Sequence, residues 1–195
     1  AGWLEVELDG VQIIDPEKTD KLEEYTELLY EIRKNKGMTP EKAREILLKD
    51  YLTFGVVMVK ANDADGMVAG AINSTGNVLR AGLQIIKTAK GIRTVSSCFL
   101  MCFEGTPYTD KEVMVFGDSA VNIAPTAEQL ADIAISSADT AKTLAGIDPR
   151  IAMLSFSTKG SAKHENVDKV VAATNLVKYA RPDLIIDGEL QLDAA

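Results

Sequence analysis

The sequence is poor in the side chains that form disulfide bonds and bind transition metals. Its 195 residues include two cysteines and one histidine. Cys98 and Cys102 lie in the apolar run 95–103, where a strand would place both on one face, so we predict two buried free thiols. Their spacing is not Cys-x-x-Cys and no histidine lies nearby, which argues against a redox pair or a zinc site. His164 has no second ligand pattern around it, and we therefore predict no metal site.

Other absences narrow the function classes. No Gly-x-Gly-x-x-Gly follows a predicted strand, and 159–161 (Lys-Gly-Ser) lacks the spacing and residue order of a Walker loop, which argues against nicotinamide dehydrogenases and NTPases. The net charge of −8 and the pI near 4.8 argue against nucleic acid and anionic membranes as partners. The sequence shows neither a signal-peptide pattern nor an apolar run long enough to cross a bilayer, so we expect a soluble, cytoplasmic protein.

Periodic apolar residues predict alternating helices and strands. Predicted strands are 54–59, 67–72, 94–103, 113–116, 151–156 and 184–186. Predicted helices are 15–34, 39–48, 76–89, 126–146 and 166–179. This alternation predicts an α/β fold with helices layered on a mainly parallel sheet. Glycine and proline in 104–110 predict a hairpin-like connection that makes the strands on either side antiparallel neighbours. We place a domain boundary near Gly91, giving domains 1–92 and 93–195.

The junction between the predicted strand 67–72 and the next helix has the features of an anion site. Its residues are Asn73, Ser74, Thr75 and Gly76. The first turn of a helix has backbone N–H groups without intrahelical partners and carries the positive end of the helix dipole. The two hydroxyls add donors, and Arg80 adds a permanent charge one or two turns later. These groups suit a phosphate or acyl phosphate, although a simple helix cap followed by a surface arginine explains the same residues.

Several ordered segments together carry a more specific signal than any one loop. They are 33–39 (Arg-Lys-Asn-Lys-Gly-Met-Thr), 64–88, 118–126, 154–164 and 181–193. In this order and at these spacings they resemble the phosphate acetyltransferases, also called phosphotransacetylases. The resemblance implies reversible acetyl transfer between coenzyme A and inorganic phosphate, by direct attack of the thiolate on the carbonyl of acetyl phosphate. It also implies a two-domain α/β fold similar to the isocitrate and isopropylmalate dehydrogenases, with the active site in the cleft, usually in a homodimer.

The resemblance also assigns roles to individual residues. Arg80 matches the phosphate-binding arginine of the family, and Arg33 matches an arginine that helps to hold coenzyme A or acyl phosphate, so both are catalytic candidates. Ser74 and Thr75 would surround the phosphoryl oxygens, with Asn73 and Gly76 beside them. The implied partners are acetyl-CoA, phosphate, acetyl phosphate and a second copy of the chain. Coenzyme A is then a substrate, and no permanently bound cofactor is expected.

One departure from the family pattern concerns activity. The remaining catalytic groups of the family, a serine followed by an arginine and an aspartate, belong to a C-terminal segment that this sequence does not contain. We therefore expect an internal fragment, shortened at both ends, that retains phosphate affinity but turns over little. Two alternatives stay open: a phosphate butyryltransferase-type acyltransferase with the same chemistry, and a non-catalytic interaction or regulatory domain of the same fold.

Overall fold

The structure is a computed structural model that describes residues 8–105 and 113–195. It divides into two compact units, with the boundary between Lys87 and Thr88. The hairpin-like connection predicted at 104–110 falls largely outside the described residues. The assignment of functional domains to 1–92 and 93–195 stays a prediction.

The described part of unit 1 is built from helices. They are α1 (Leu22–Arg33), α2 (Pro40–Lys49), α3 (Tyr51–Lys60) and α4 (Thr75–Ile85), with a short 3-10 turn at Lys34–Lys36. Helix α1 packs against α2, α3 and α4. The ring of Tyr25 meets that of Phe54 edge-on at 5.4 Å, and Leu29, Leu47 and Val57 are almost completely buried beside them. Burial of this apolar face holds the helices together.

Local sequence signals determine how α1 leads into α2. Gly37 has a φ of 79°, a left-handed conformation that glycine adopts without steric cost, and its N–H donates to the carbonyl of Lys34. Thr39 then caps α2, because its Oγ1 accepts a hydrogen bond from the backbone N–H of Lys42 at 3.3 Å, and Pro40 occupies the first helical position. These two predicted helix boundaries are confirmed.

Two predicted strands of unit 1 are wrong. Residues 54–59 lie within helix α3, which Asp50 caps by accepting from the N–H of Leu52 at 3.1 Å. A short, continuous apolar run fits a buried strand and a buried helix equally, and here the neighbouring helices bury it. Residues 67–72 have no regular secondary structure, and Val68 and Ile72 are exposed. No strand occurs among the described residues of unit 1, so nothing there pairs with this segment.

Unit 2 combines helices and strands. Its elements are β1 (Cys98–Cys102), β2 (Val113–Gly117), α5 (Ala127–Leu144), β3 (Arg150–Leu154), α6 (Glu165–Ala180), β4 (Ile185–Leu190) and a 3-10 turn at Leu192–Ala194. Strands β1 and β2 are antiparallel, as predicted, with Leu100 opposite Val115. Strands β3 and β4 are parallel, with Ile151 opposite Ile186, and α6 makes the crossover between them. The described strands thus form two small sheets.

Helices α5 and α6 pack against each other in unit 2. The predicted capping box at the start of α5 is confirmed: Thr126 Oγ1 accepts from the N–H of Gln129 at 3.3 Å, and Gln129 Oε1 accepts from the N–H of Thr126 at 2.9 Å. Val170, Ala173 and Val177 form the buried face of α6. This core positions the ends of β3 and β4 and the loops that follow them.

The prediction of two buried thiols is wrong. Both cysteines are free, but Cys98 is half-buried and Cys102 is exposed. The reason is that β1 belongs to a two-stranded sheet with exposed residues on both faces, including Phe99 and Leu100. Alternation along a strand therefore does not bury a side chain unless another layer covers that face.

Candidate functional site

A groove of about 760 Å³ on unit 1 is lined by residues from all four helices of that unit, α1 to α4. Its basic side chains are Arg33, Lys42, Lys49 and Arg80. Its amide side chains are Asn73, Asn77 and Gln84. Apolar side chains, among them Leu29, Met38, Ile46 and Ile85, complete the lining. The groove therefore combines charged donors with an apolar surface, an arrangement typical of ligand sites.

The predicted site residues divide into two sets. Arg33, Asn73 and Arg80 line the groove together, although Arg33 and Arg80 are far apart in sequence. Ser74, Thr75 and Gly76 do not belong to its lining. A role in phosphate binding stays a prediction for each of these residues.

Ser74 has a structural task at the start of α4. Its Oγ accepts a hydrogen bond from the backbone N–H of Asn77 at 3.3 Å, so it serves as the N-cap of the helix. The bond uses the N–H of Asn77, which is one of the first-turn N–H groups that the sequence predicts as donors to an anion. The helix-cap interpretation of this segment therefore holds for Ser74.

Arg33 reaches the groove from the end of α1. It is the last residue of the helix and is half-buried. A cation in the last turn of a helix is stabilised by the negative end of the dipole. The turn at Lys34–Lys36 and Gly37 then leads the chain into α2, which supplies further residues of the lining.

Arg80 reaches the groove from α4. Its Nη1 donates a hydrogen bond to Asn77 Oδ1 at 3.1 Å, one turn earlier on the same helix. The guanidinium has five N–H donors, so this bond orients the group and leaves most donors available for a ligand. A planar donor set of this kind suits the paired oxygens of a phosphate.

The carboxylates of the groove already have partners. Glu45 accepts a hydrogen bond from Lys49 Nζ at 2.7 Å, which lowers the pKa of Glu45. Asp50 accepts from Leu52 N–H and from Thr53 Oγ1 at 2.6 Å. The four cations of the lining thus face two carboxylates, both engaged locally. The result is a locally positive groove on a chain whose net charge is −8.

Three of the cations have no carboxylate partner. Among the described residues, no ion pair within 4.0 Å involves Arg33, Lys42 or Arg80. Unpaired cations that converge on one groove attract an anion, because the ligand then relieves their mutual repulsion.

Sequence reasoning missed Lys42 and Asn77. An isolated lysine in a helix usually extends into solvent, and an asparagine in the first turn of a helix has no distinctive pattern. One signal could have drawn attention to Lys42: it lies in the first turn of α2, where the helix dipole opposes a positive charge. The packing of α4 against α1 and α3, which brings Asn77 to the groove, is a tertiary feature.

Asp118 organises a loop of unit 2 that follows β2. Its carboxylate accepts hydrogen bonds from Ser97 N–H at 3.1 Å, from the Ser97 hydroxyl, from Ala120 N–H at 3.1 Å and from Asn122 N–H at 2.7 Å. Burial alone would raise the pKa of Asp118, but these donors outweigh it and hold the pKa below its usual range. These hydrogen bonds give the carboxylate a structural role in this loop.

A second polar cluster joins the end of β4 to the loop after β3. Glu189 is 3% exposed, and its Oε1 accepts from Gly160 N–H at 2.6 Å and from the Ser157 hydroxyl at 3.1 Å. These donors lower the pKa of Glu189, the Gly160 N–H having the largest effect. Lys159, on the same loop, forms an exposed ion pair with Asp187. The cluster fixes the backbone of this loop.

His164 takes part in capping. Its Nδ1 accepts a hydrogen bond from Asn166 N–H at 3.1 Å at the start of α6, and its ring lies edge-on to Phe156. Within residues 8–105 and 113–195, no three histidine, cysteine, aspartate or glutamate side chains are grouped closely enough to hold a metal ion. In the same ranges, no helix has the length and apolarity required to span a bilayer.

Comparison with known proteins identifies the family of the chain. The family described as "Phosphate acetyl/butaryl transferase" matches residues 2–195. The chain belongs to this family. The resemblance that the ordered sequence segments indicate is therefore confirmed.

Individual relatives agree with this assignment. The chain is 54% identical over 190 residues to the phosphate acetyltransferase of Thermoanaerobacterium thermosaccharolyticum, an alignment that covers 97% of this chain and 58% of the relative. It is 50% identical over 195 residues to the phosphate acetyltransferase of Clostridium acetobutylicum, an alignment that covers 100% of this chain and 58% of the relative. The chain thus spans a little over half the length of these relatives.

Solved structures show the same α/β fold. The EutD phosphotransacetylase from Staphylococcus aureus superimposes with a TM-score of 0.84 at 40% identity, covering 98% of this chain and 57% of that one. A phosphotransacetylase from Streptococcus pyogenes superimposes with a TM-score of 0.84 at 49% identity, and the match covers 99% of this chain and 56% of that one. The fold of the chain is therefore that of the phosphotransacetylases, with helices and small sheets.

Proposed function

We propose that this chain supplies the anion-binding groove of a phosphate acetyltransferase, which transfers an acetyl group between coenzyme A and inorganic phosphate. The observation that carries the proposal is the convergence of Arg33 and Arg80 on one groove without carboxylate partners. Relatives about half identical to the chain carry the name phosphate acetyltransferase, which supports the same reaction.

The chemistry requires few groups from the protein. The coenzyme A thiolate attacks the carbonyl carbon of acetyl phosphate, a C–S bond forms, and the C–O bond to phosphate breaks, so that phosphate leaves with the electron pair. Phosphate is a good leaving group, and the protein mainly holds two anionic substrates in position and stabilises the developing negative charge. Guanidinium groups suit both tasks, because they remain charged and donate paired hydrogen bonds. Arg80, oriented by Asn77, is the residue of this groove best placed to bind the phosphoryl oxygens.

The finer features of the assembly belong to the same proposal. We assign the chain to a two-domain enzyme of isocitrate and isopropylmalate dehydrogenase type, with a mainly parallel sheet, the active site in the cleft, a cytoplasmic location and a homodimeric state. The parallel pair β3 and β4, connected by α6, supports the parallel arrangement. A phosphate butyryltransferase would use the same groove chemistry, but the names of the relatives favour acetyl transfer.

The first test is calorimetric titration of the chain with coenzyme A and, separately, with inorganic phosphate. We expect saturable binding that Arg80→Ala weakens by about tenfold or more, as for a lost charge-assisted hydrogen bond. Arg44→Ala is the matched control, since Arg44 lies outside the groove and pairs with Glu23. Equal affinities in the wild-type protein and Arg80→Ala would exclude this groove as the phosphate site.

Acetyl transfer is measured on the same preparation, together with the intact mass. We expect substrate binding with little turnover, because the chain spans a little over half the length of the phosphate acetyltransferases it matches. A normal specific activity at a mass of 21.0 kDa would show that the groups of this chain suffice for catalysis.

A further inference from the structure

Lys42 occupies an unfavourable position for its own helix. It lies in the first turn of α2, and its backbone N–H donates to the N-cap residue Thr39. The positive end of the helix dipole is at this terminus, so a cation there is repelled, whereas an acidic residue would be stabilised. Helix stability therefore does not explain a lysine at this position.

Lys49, at the other end of α2, shows the contrast. It lies in the last turn, where the dipole favours a cation, and its Nζ donates to Glu45 at 2.7 Å. Both facts give Lys49 a structural role. Lys42 acts on Glu45 only as a more distant charge, and no described carboxylate lies within ion-pair distance of it.

Lys42 lines the same groove as Arg33 and Arg80, and its side chain is exposed. Although Glu41 already provides an acidic side chain in the first turn of α2, the three cations have no ion-pair partner among the described residues, and a bound phosphate would supply one. The side chain of lysine has three donors and a flexible stem, so it can follow a phosphate that the more rigid guanidiniums hold.

We propose that Lys42 is a third phosphate-binding cation of the groove, alongside Arg33 and Arg80, and that it contacts a phosphate group of the anionic substrate. This proposal rests on the proposed function, because the ligand is the substrate of that site. The phosphate group belongs either to coenzyme A or to inorganic phosphate, and separate titrations distinguish the two sources.

The test compares Lys42→Ala with Arg44→Ala in the full chain. The two variants remove the same charge from the same helix, but Arg44 lies outside the groove. We expect Lys42→Ala to weaken binding of coenzyme A, of inorganic phosphate or of both by about fivefold, and Arg44→Ala to leave both affinities within about twofold. Lys42→Arg keeps the cation and should retain most of the affinity.

A second readout separates binding from a structural role. Alanine is a better helix former and removes the repulsion at the helix start, so the melting temperature of Lys42→Ala should equal or exceed that of the wild-type protein. A lower melting temperature, or equal loss of affinity in Lys42→Ala and Arg44→Ala, would overturn the proposal. If Arg80→Ala loses binding while Lys42→Ala retains it, only the role of Lys42 is overturned. No binding by the wild-type protein would overturn the proposed function as well.

Discussion

Asn77 Oδ1 accepts a 3.1 Å hydrogen bond from Arg80 Nη1 one turn later on α4. The bond holds the guanidinium on the side of the helix that lines the groove, and the backbone N–H of Asn77 is bonded separately to Ser74. The side chain of Asn77 therefore orients Arg80, while its backbone completes the helix cap.

We predict that Asn77→Ala weakens phosphate binding by about two- to threefold, less than Arg80→Ala. The guanidinium keeps its charge but loses an orienting bond, which contributes on the order of 0.5–1.5 kcal/mol at most. The cap survives because it uses the backbone of residue 77, so the melting temperature should not fall. Titration with inorganic phosphate measures the change, and an affinity equal to that of the wild-type protein would show that Arg80 needs no such support.

Ser157 is expected to be important for the stability of unit 2. It is completely buried, accepts a hydrogen bond from Ala162 N–H at 3.1 Å and donates to Glu189. Ser157→Ala removes one donor from the buried Glu189 carboxylate and leaves the half-buried Ala162 N–H without this acceptor, so the free energy of unfolding should fall by about 1–3 kcal/mol. Urea denaturation followed by circular dichroism measures it. The control Thr143→Ala removes an exposed hydroxyl from α5 and should change stability by less than about 0.5 kcal/mol.

Two glycine-to-alanine substitutions should have opposite effects. At Gly188, where φ is 153°, an added Cβ would lie 2.5 Å from Met153 Cβ and 2.9 Å from its carbonyl oxygen, so Gly188→Ala should destabilise by about 1–3 kcal/mol. At Gly82, inside α4, a Cβ meets nothing within 4 Å, so Gly82→Ala should stabilise by about 0.5–1 kcal/mol. Thermal denaturation of both variants tests the pair. A stability loss in Gly82→Ala would mean that this face of α4 is covered.

The loop around Asp118 should make unit 2 sensitive to acid. Hydrogen bonds to Asp118 hold its pKa in the folded protein below the value in the unfolded chain. The ionised carboxylate therefore stabilises the fold at neutral pH, and this contribution is lost as pH falls below about 5 toward the lowered pKa.

We predict that Asp118→Asn is less stable than the wild-type protein at pH 7 and that the difference shrinks between pH 5 and pH 2. The amide of asparagine keeps the shape but accepts fewer hydrogen bonds, and it does not titrate. Melting temperatures over this range provide the measurement. Parallel pH curves for the two proteins would show that Asp118 carries no pH-dependent stability.

Local sequence patterns correctly predict the structure where it depends on hydrogen bonds between a few neighbouring residues. The cap at Thr39, the left-handed Gly37 and the capping box of Thr126 and Gln129 depend on hydrogen bonds over three or four residues, so their residue types predict them. Ser74 belongs to the same group, because it caps α4 as a serine before a helix often does.

The sequence by itself determined the family, the end of α1, the starts of α2 and α5 and both arginines of the groove, because ordered motifs and short-range hydrogen bonds are properties of the chain. The predicted start of the first helix at 15 is wrong, since α1 begins at Leu22. Only the tertiary structure decided that 54–59 is helical, that Cys102 is exposed and that Lys42 and Asn77 join Arg33 and Arg80. Burial depends on which elements cover a segment, and a groove depends on which helices approach one another. Both are set by packing between residues distant in the sequence, and local periodicity does not record that packing.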